Sequence, residues 1–146
     1  MVAEPDTGPV AAPTGSLHHV EVWVPGLDAA VRSWGWLLGE LGWRPYQSRR
    51  TGRSWRLGGT YLVVEQSPSL SGNTHDRTAP GLNHVAFHAG TPDDVDRLVA
   101  QAPAHGWTLL FPDRHPYAGG PDTYAGYLVD GYGYEVELVA TLPRRR

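Results

Sequence analysis

The chain has 146 residues and a formal net charge of −3, which is enough length for one domain with a sizeable core. It has no cysteine, so disulfides, thiolate metal sites and cysteine nucleophiles are excluded. All 12 cationic residues are arginine, which excludes a lysine Schiff base or a lysine general base. The weak charge, and the lack of a long apolar run or signal-peptide pattern, predict no nucleic-acid partner, no membrane partner and a cytoplasmic location.

The first half of the chain predicts one strand, one helix and three further strands. Residues 1–15 are rich in proline, alanine and glycine, and we expect a disordered leader there. Alternating apolar residues predict a strand over 17–24. A stripe of apolar residues three and four positions apart predicts a helix over 27–41, which Gly42 ends. Glycine turns then separate three short predicted strands near 43–48, 52–57 and 60–66.

The second half predicts the same order of elements after a polar linker over 67–81. A strand is predicted over 82–89, and Thr91-Pro92-Asp93-Asp94 is typical of a helix start. We expect Pro103 to end this helix early. A strand from residue 107, a proline- and glycine-rich loop over 112–121, strands near 122–129 and 133–141, and a tail at 142–146 complete the chain.

The two halves repeat each other in sequence. Leu17-His18-His19-Val20 returns as Leu82-Asn83-His84-Val85, 65 residues later, and Gly42-Trp43 returns as Gly106-Trp107. Each half therefore reads as one βαβββ module, at 16–66 and 82–141. We predict an α+β fold in which the two tandem modules form a half-open barrel-like sheet with the helices on its outer face.

Strand alternation assigns the side chains to the two faces of this sheet. Valine, leucine and phenylalanine fall on the face toward the helices. Histidine, glutamate, tryptophan and tyrosine fall on the opposite face, a composition that favours a binding site over an ordinary solvated surface. These residues are His19, Glu21, Trp23, Tyr61, Glu65, His84, His88, Glu135 and Glu137.

Each module supplies one strand histidine and one glutamate near the end of its last strand, which predicts a divalent metal site. Two imidazoles and two carboxylates suit Fe(II), Mn(II), Co(II), Ni(II) or Zn(II), and the predicted ligands are His19, Glu65, His84 and Glu137. His18 competes with His19 for the first position, although alternation favours His19. Glu135 is an alternative to Glu137 or a neighbouring base, and Glu65 reads about equally well as a solvated strand end.

Further residues are predicted to line a substrate pocket around the ligands. Six tryptophans and seven tyrosines are many for this length and suit a planar or apolar ligand. His115 and Tyr117 lie on the proline- and glycine-rich loop, which either covers the site or is simply exposed. The other predicted pocket residues are Glu21, Trp23, Tyr61, His88 and Glu135.

Three segments resemble the vicinal oxygen chelate superfamily of glyoxalase, bleomycin-resistance and extradiol dioxygenase proteins. They are Leu17-His18-His19-Val20, Gly81-Leu82-Asn83-His84-Val85-Ala86-Phe87 and Tyr134-Glu135-Val136-Glu137-Leu138. The resemblance covers roughly residues 16–141 and implies that His19, Glu65, His84 and Glu137 are metal ligands. The chain departs from the family in the turn Asp130-Gly131-Tyr132-Gly133, where Asp-Pro-Asp-Gly is usual.

The resemblance implies a metal-dependent, glyoxalase-like lyase or isomerase that chelates a small oxygenated substrate and stabilises an enolate. Glu137 or Glu65 would then abstract the proton next to the carbonyl. Two alternatives stay open: an extradiol-type dioxygenase, which needs only two histidines and one glutamate, and a metal-free protein that sequesters an aromatic antibiotic or natural product. The family resemblance also implies a homodimer.

Overall fold

The computed structural model describes residues 12–144, and its first module follows the predicted order of elements. Most of the predicted leader, and the last two residues of the predicted tail, lie outside the described residues. The first module consists of β1 (His19–Trp23), α1 (Leu27–Glu40), β2 (Arg44–Ser48), β3 (Gly52–Leu57) and β4 (Thr60–Glu65).

The second module repeats that order. Its elements are β5 (His84–His88), α2 (Pro92–Gln101), β6 (Thr108–Leu110), β7 (Ala125–Val129) and β8 (Glu135–Val139), with a short 3-10 turn at Ala102–His105. The turn follows α2 because Pro103 cannot continue the helix. Thr91 and Asp94 form the reciprocal capping box that begins α2.

The two modules form two four-stranded mixed sheets with equivalent topology. The strand orders are β1-β4-β3-β2 and β5-β8-β7-β6. In each sheet the first strand pairs in parallel with the last strand, and the other pairs are antiparallel. The sheets are not closed, and the predicted α+β fold of two tandem βαβββ modules is confirmed.

The faces follow the predicted alternation. Apolar side chains of β1, β4 and β8 that point toward the helices are almost fully buried, as in Val22, Val64 and Leu138. The intervening side chains on the other face are half-buried or exposed, except for Glu135. No helix within residues 12–144 has the length and the apolar character that a membrane crossing requires.

Helix α1 joins the two modules through a shared core. Trp34 of α1 is fully buried and packs edge-on against Trp107 of the second module, with ring centroids 5.2 Å apart. The Trp34 indole N–H donates to Asp130 Oδ2 at 3.0 Å, and the Trp107 indole N–H donates to the Ser33 carbonyl at 2.9 Å. Burial raises the pKa of Asp130, which the Trp34 bond and nearby backbone N–H groups partly offset.

The linker between the modules is held against the turn that joins β7 to β8. The His75 amide donates to the Tyr132 carbonyl at 2.7 Å, and the His75 ring stacks on Tyr134 with centroids 4.3 Å apart. The linker backbone passes directly over Gly133, which has φ of +94°. The two contacts fix the entry into β5, whose first residue is His84.

Gly133→Ala should lower the free energy of unfolding by about 2 kcal/mol, because its φ is left-handed and a methyl group would collide with the His75 carbonyl. Gly131→Ala is the matched control in the same turn, since nothing lies within 4 Å of a methyl group there. Urea unfolding of both variants checks this expectation. Equal midpoints for the two variants would show that the linker does not rest on Gly133.

Candidate functional site

The parallel pair β5–β8 brings together one histidine and two glutamates. His84 lies opposite Glu135, and Ala86 lies opposite Glu137. His84 Nε2 is 3.3 Å from Glu137 Oε2, and His84 Nδ1 is 3.6 Å from Glu135 Oε2. The imidazole therefore lies between the two carboxylates, on the sheet face away from α2.

Asn83 fixes which nitrogen of His84 faces Glu137. Its side-chain N–H donates to the Arg77 carbonyl at 2.9 Å, so its Oδ1 is the atom 2.7 Å from His84 Nδ1. An amide oxygen only accepts, so the hydrogen bond to Asn83 uses the hydrogen on Nδ1 and turns Nε2 toward Glu137. At 3.3 Å, His84 Nε2 and Glu137 Oε2 are close enough to share a proton or to bind the same cation.

Glu135 is the more buried of the two carboxylates, and its negative charge is balanced by a nearby arginine. It is 3% exposed, and Arg77 Nη1 from the linker lies 3.4 Å from its Oε1. The Arg77 guanidinium also lies over the ring of Phe111, 5.6 Å from the centroid. Glu135 thus supports the Nδ1 side of His84, while Glu137 faces Nε2.

Tyr127 on β7 holds the outer carboxylate. Its hydroxyl donates to Glu137 Oε1 at 2.7 Å, which leaves Oε2 toward His84. Burial, followed by the bond to Glu137, raises the pKa of Tyr127 to about 12, so the hydroxyl stays protonated at neutral pH. Gly119, on the proline- and glycine-rich loop, lies so close that a methyl group there would be 2.8 Å from this hydroxyl.

The first module holds its strand histidine in a similar way. His19 Nδ1 is 2.9 Å from Nδ1 of His18, and its ring stacks on Tyr61 with centroids 4.8 Å apart. In both modules, then, the residue just before the strand histidine contacts its Nδ1. Nε2 of His19 has no hydrogen-bond partner among the described residues, as expected of a nitrogen that binds a metal ion.

The strand register shows that the two modules differ in their carboxylates. His19 lies opposite Tyr61, Glu21 opposite Val63, and Trp23 opposite Glu65. The position that corresponds to Glu137 is therefore Val63, and Glu65 corresponds to Val139 of the second module. Glu65 Oε1 accepts a bond from the Thr51 hydroxyl at 3.2 Å. The register puts no β4 carboxylate beside His19, and a ligand role for Glu65 stays a prediction.

Within residues 12–144, no group of three or more histidine, aspartate or glutamate side chains is arranged to hold a metal ion. His84 and Glu137 form a pair, and His19 does not join them within one chain. A complete site would need a third donor from outside this arrangement.

The other predicted pocket residues of the first module lie on the same face as His19. Tyr61 and Glu21 line a polar groove with His19 and Glu65. Trp23 is 37% exposed, and its indole N–H donates to Glu21 Oε2 at 2.7 Å. These five side chains thus share one open surface.

Three predicted pocket residues of the second module lie apart from His84. His88 is exposed at the far end of β5 and lines a separate surface depression with Asp94 and Arg97. His115 lies close to Gly126, on the face that Val95 of α2 covers. Tyr117 is exposed and its ring contacts Tyr124, whose hydroxyl donates to Asp96 of α2. The covering loop approaches Glu137 through Gly119 instead.

Sequence reasoning missed Tyr127, Asn83 and Arg77 as parts of this site. A signal for Tyr127 was present, because β7 and β8 are joined by a short turn and alternation places Tyr127 on the face of Glu137. Asn83 stands at the position of His18 in the repeat. Nothing local marks Arg77, whose contact depends on how the linker folds back.

A family model described as the Glyoxalase/Bleomycin resistance protein/Dioxygenase superfamily matches residues 18–127, most of the chain. The chain belongs to this superfamily. It is 44% identical over 126 residues to the uncharacterized protein YqjT of Bacillus subtilis (strain 168), covering 85% of this chain and 98% of that protein.

Solved structures of the superfamily share the fold. A crystal structure from Bacillus halodurans, named only as a candidate glyoxalase, has 44% identity and a TM-score of 0.83, covering 88% of this chain and 97% of that one. A glyoxalase/bleomycin resistance protein from Albidiferax ferrireducens T118 has 23% identity and a TM-score of 0.70, covering 86% and 98%. The second similarity is evidence for a shared fold only, because the sequence identity is low.

Proposed function

We propose that this superfamily member is a divalent-metal-dependent enzyme acting on a small oxygenated substrate, with His84 and Glu137 as ligands. The observation that carries the proposal is that His84 Nε2 faces a Glu137 oxygen at 3.3 Å. Asn83 fixes the imidazole on one side and Tyr127 fixes the carboxylate on the other. Such outer partners typically orient ligands in metal sites.

The third protein ligand in this proposal is His19 of a second copy of the chain, in a homodimer. Strands β1 and β5, which carry His19 and His84, are both edge strands of their sheets. A strongly apolar groove of ≈ 620 Å³ runs beside them, lined by Leu17, Val20, Val85 and Phe87 among others. Exposed apolar surface next to unpaired strand edges favours association.

Two imidazoles and one carboxylate suit Fe(II), Mn(II), Co(II), Ni(II) or Zn(II). When bound, such an ion acts as a Lewis acid that holds two adjacent substrate oxygens. The chain's own residues orient the donors: Asn83 accepts from His84 Nδ1 and leaves Nε2 for the ion, and the Tyr127 hydroxyl occupies one oxygen of Glu137.

Val63 favours one reaction type within this class. A glyoxalase-like lyase or isomerase needs a carboxylate free to take a proton. In the first module, the position that corresponds to Glu137 is Val63, which has no carboxylate. In the second module, Glu135 is buried and paired with Arg77, so it is not free to take the proton. A set of two histidines and one glutamate instead keeps positions for substrate and O₂. We therefore propose an extradiol-type dioxygenase as the more suitable reaction, with the lyase as its competitor.

Elemental analysis of protein purified without chelators or a metal-affinity tag tests the metal. We expect about one divalent metal ion per chain, since each dimer would contain two sites. Oxygen uptake with a panel of catechols, compared with turnover of 2-oxo aldehydes plus glutathione, then separates the dioxygenase from the lyase. A protein that retains no metal and turns over neither panel would contradict the proposal and favour the metal-free sequestration protein.

A further inference from the structure

We propose that the open face of the first sheet binds a planar aromatic ligand that carries an acidic group. The proposal deepens the proposed function by naming the substrate class. It rests on that function only in placing the reactive end of the ligand beside His19.

Planar side chains form a continuous row across this face. The His19 ring stacks on Tyr61 at an interplanar angle of 5°, and Tyr61 contacts the ring of Tyr46 with centroids 5.3 Å apart. The Arg56 guanidinium lies over Tyr46, 5.2 Å from the ring centroid. Rows of this kind offer stacking surfaces to aromatic ligands, because flat groups lose little conformational freedom on binding. Tyr46 is 46% exposed, so the row is open to a ligand.

The positive charge of the chain is concentrated beside this row. Residues 44–56 contain no acidic residue and five arginines: Arg44, Arg49, Arg50, Arg53 and Arg56. None of the five forms an ion pair in the part of the chain that the structure describes. The chain as a whole has a net charge of −3, so this hairpin is a local reversal of sign. An unneutralised cationic hairpin attracts anions.

Two of these arginines line a groove that begins at the row. The groove has a volume of ≈ 220 Å³ and is lined by His19, Tyr61, Arg49 and Arg53 among others. Arg53 already donates to the carbonyls of Arg49 and Gly52. The Arg49 side chain makes no hydrogen bond or ion pair among the described residues, and its guanidinium matches a carboxylate or a similar planar acid.

The two carboxylates in the groove are already engaged. Glu21 accepts the Trp23 indole N–H at 2.7 Å, and Glu65 accepts the Thr51 hydroxyl at 3.2 Å. Neither carboxylate forms an ion pair with Arg49 among the described residues, so the Arg49 guanidinium is available to an acidic ligand. The groove volume suits one or two fused rings rather than a polymer, so we infer a small aromatic acid with its acidic group at Arg49 and its ring on Tyr61.

Isothermal titration calorimetry with 2-naphthoate tests this proposal. Two reference compounds separate its parts: cyclohexanecarboxylate keeps the acid without the aromatic ring, and 2-naphthalenemethanol keeps the ring without the charge. We expect 2-naphthoate to bind about tenfold more tightly than either, because only it uses both stacking and a charge-assisted hydrogen bond. All titrations contain EDTA, so the result stands whether or not the chain binds a metal.

Two variants locate the ligand. Arg49→Gln and Tyr61→Leu should each weaken 2-naphthoate binding about tenfold, since each removes one of the two contacts. Arg50→Gln removes the same charge from the neighbouring residue, which does not line the groove, and should change affinity less than twofold. Urea unfolding checks that the Tyr61→Leu variant is folded. If that variant does not fold, Arg49→Gln still tests the site, because Arg49 is exposed.

Three results would overturn the proposal. Equal affinity for 2-naphthoate and cyclohexanecarboxylate would show that the rings are not used. Equal losses in Arg49→Gln and Arg50→Gln would show general charge attraction, and unchanged binding in both groove variants would place the ligand elsewhere. Failure of the metal proposal alone leads to a different pattern, in which 2-naphthoate binds as expected while the purified protein holds no metal.

Discussion

His84→Ala should abolish stoichiometric metal binding, with a loss of affinity of about 100-fold or more, since even outer partners of metal ligands contribute 10–100-fold. The substitution removes the Nε2 atom that faces Glu137 at 3.3 Å. It also leaves Glu137 with only the Tyr127 hydroxyl as a described partner. Elemental analysis of the purified variant, and calorimetric titration with Zn²⁺ or Mn²⁺, measure the effect.

His88→Ala is the matched control for this prediction. His88 lies on the same strand and the same face as His84, but it contacts neither glutamate. We expect it to retain the full metal content. Comparing Glu137→Gln with Glu65→Gln then separates a site of three protein ligands from one of four. Stoichiometric metal in the His84 variant would refute the assignment of this residue.

Trp34→Ala should lower the free energy of unfolding by about 4 kcal/mol, the usual cost of removing a fully buried aromatic side chain. Trp34 has no exposed surface and packs against Trp107 and Tyr134 of the second module. Its loss also removes the N–H that donates to the buried Asp130 at 3.0 Å. Because α1 joins the two modules at this point, the variant loses packing on both sides. Urea unfolding, followed by fluorescence and circular dichroism, measures the change.

Two controls show where the effect comes from. Trp23→Ala removes a tryptophan that is 37% exposed, so we expect a change within about 0.5 kcal/mol. Trp34→Phe keeps most of the packing but removes the hydrogen bond to Asp130, whose loss should cost about 1–3 kcal/mol. If Trp34→Ala unfolded at the same urea concentration as Trp23→Ala, the shared core would not depend on α1.

The two proposals depend on different modules of the chain. The metal proposal depends on the second module, where Asn83 and Tyr127 orient His84 and Glu137. The aromatic-acid proposal depends on the first module, where Tyr61 and Arg49 lie along one groove. His19 belongs to both, because it begins the groove and is the proposed third ligand. In the proposed homodimer, His19 of one copy would join the His84–Glu137 pair of the other.

The sequence by itself predicted the two βαβββ modules, because alternation and helical spacing are local patterns that each segment carries within a few residues. The same patterns put His19, His84 and Glu137 on the face away from the helices, and the burial of Val22, Val64 and Leu138 agrees with this assignment. The Thr91 capping box and the early end of α2 are local in the same sense.

The offset between parallel strands could not be predicted, since alternation assigns a face but not a register. That offset puts Val63, not Glu65, at the position that corresponds to Glu137. The structure also decided that Arg77 reaches Glu135 and that Gly119 approaches Tyr127, because both contacts join segments whose distance depends on loop paths. Periodicity therefore determined which residues face the site, and long-range chain packing determined which of them touch.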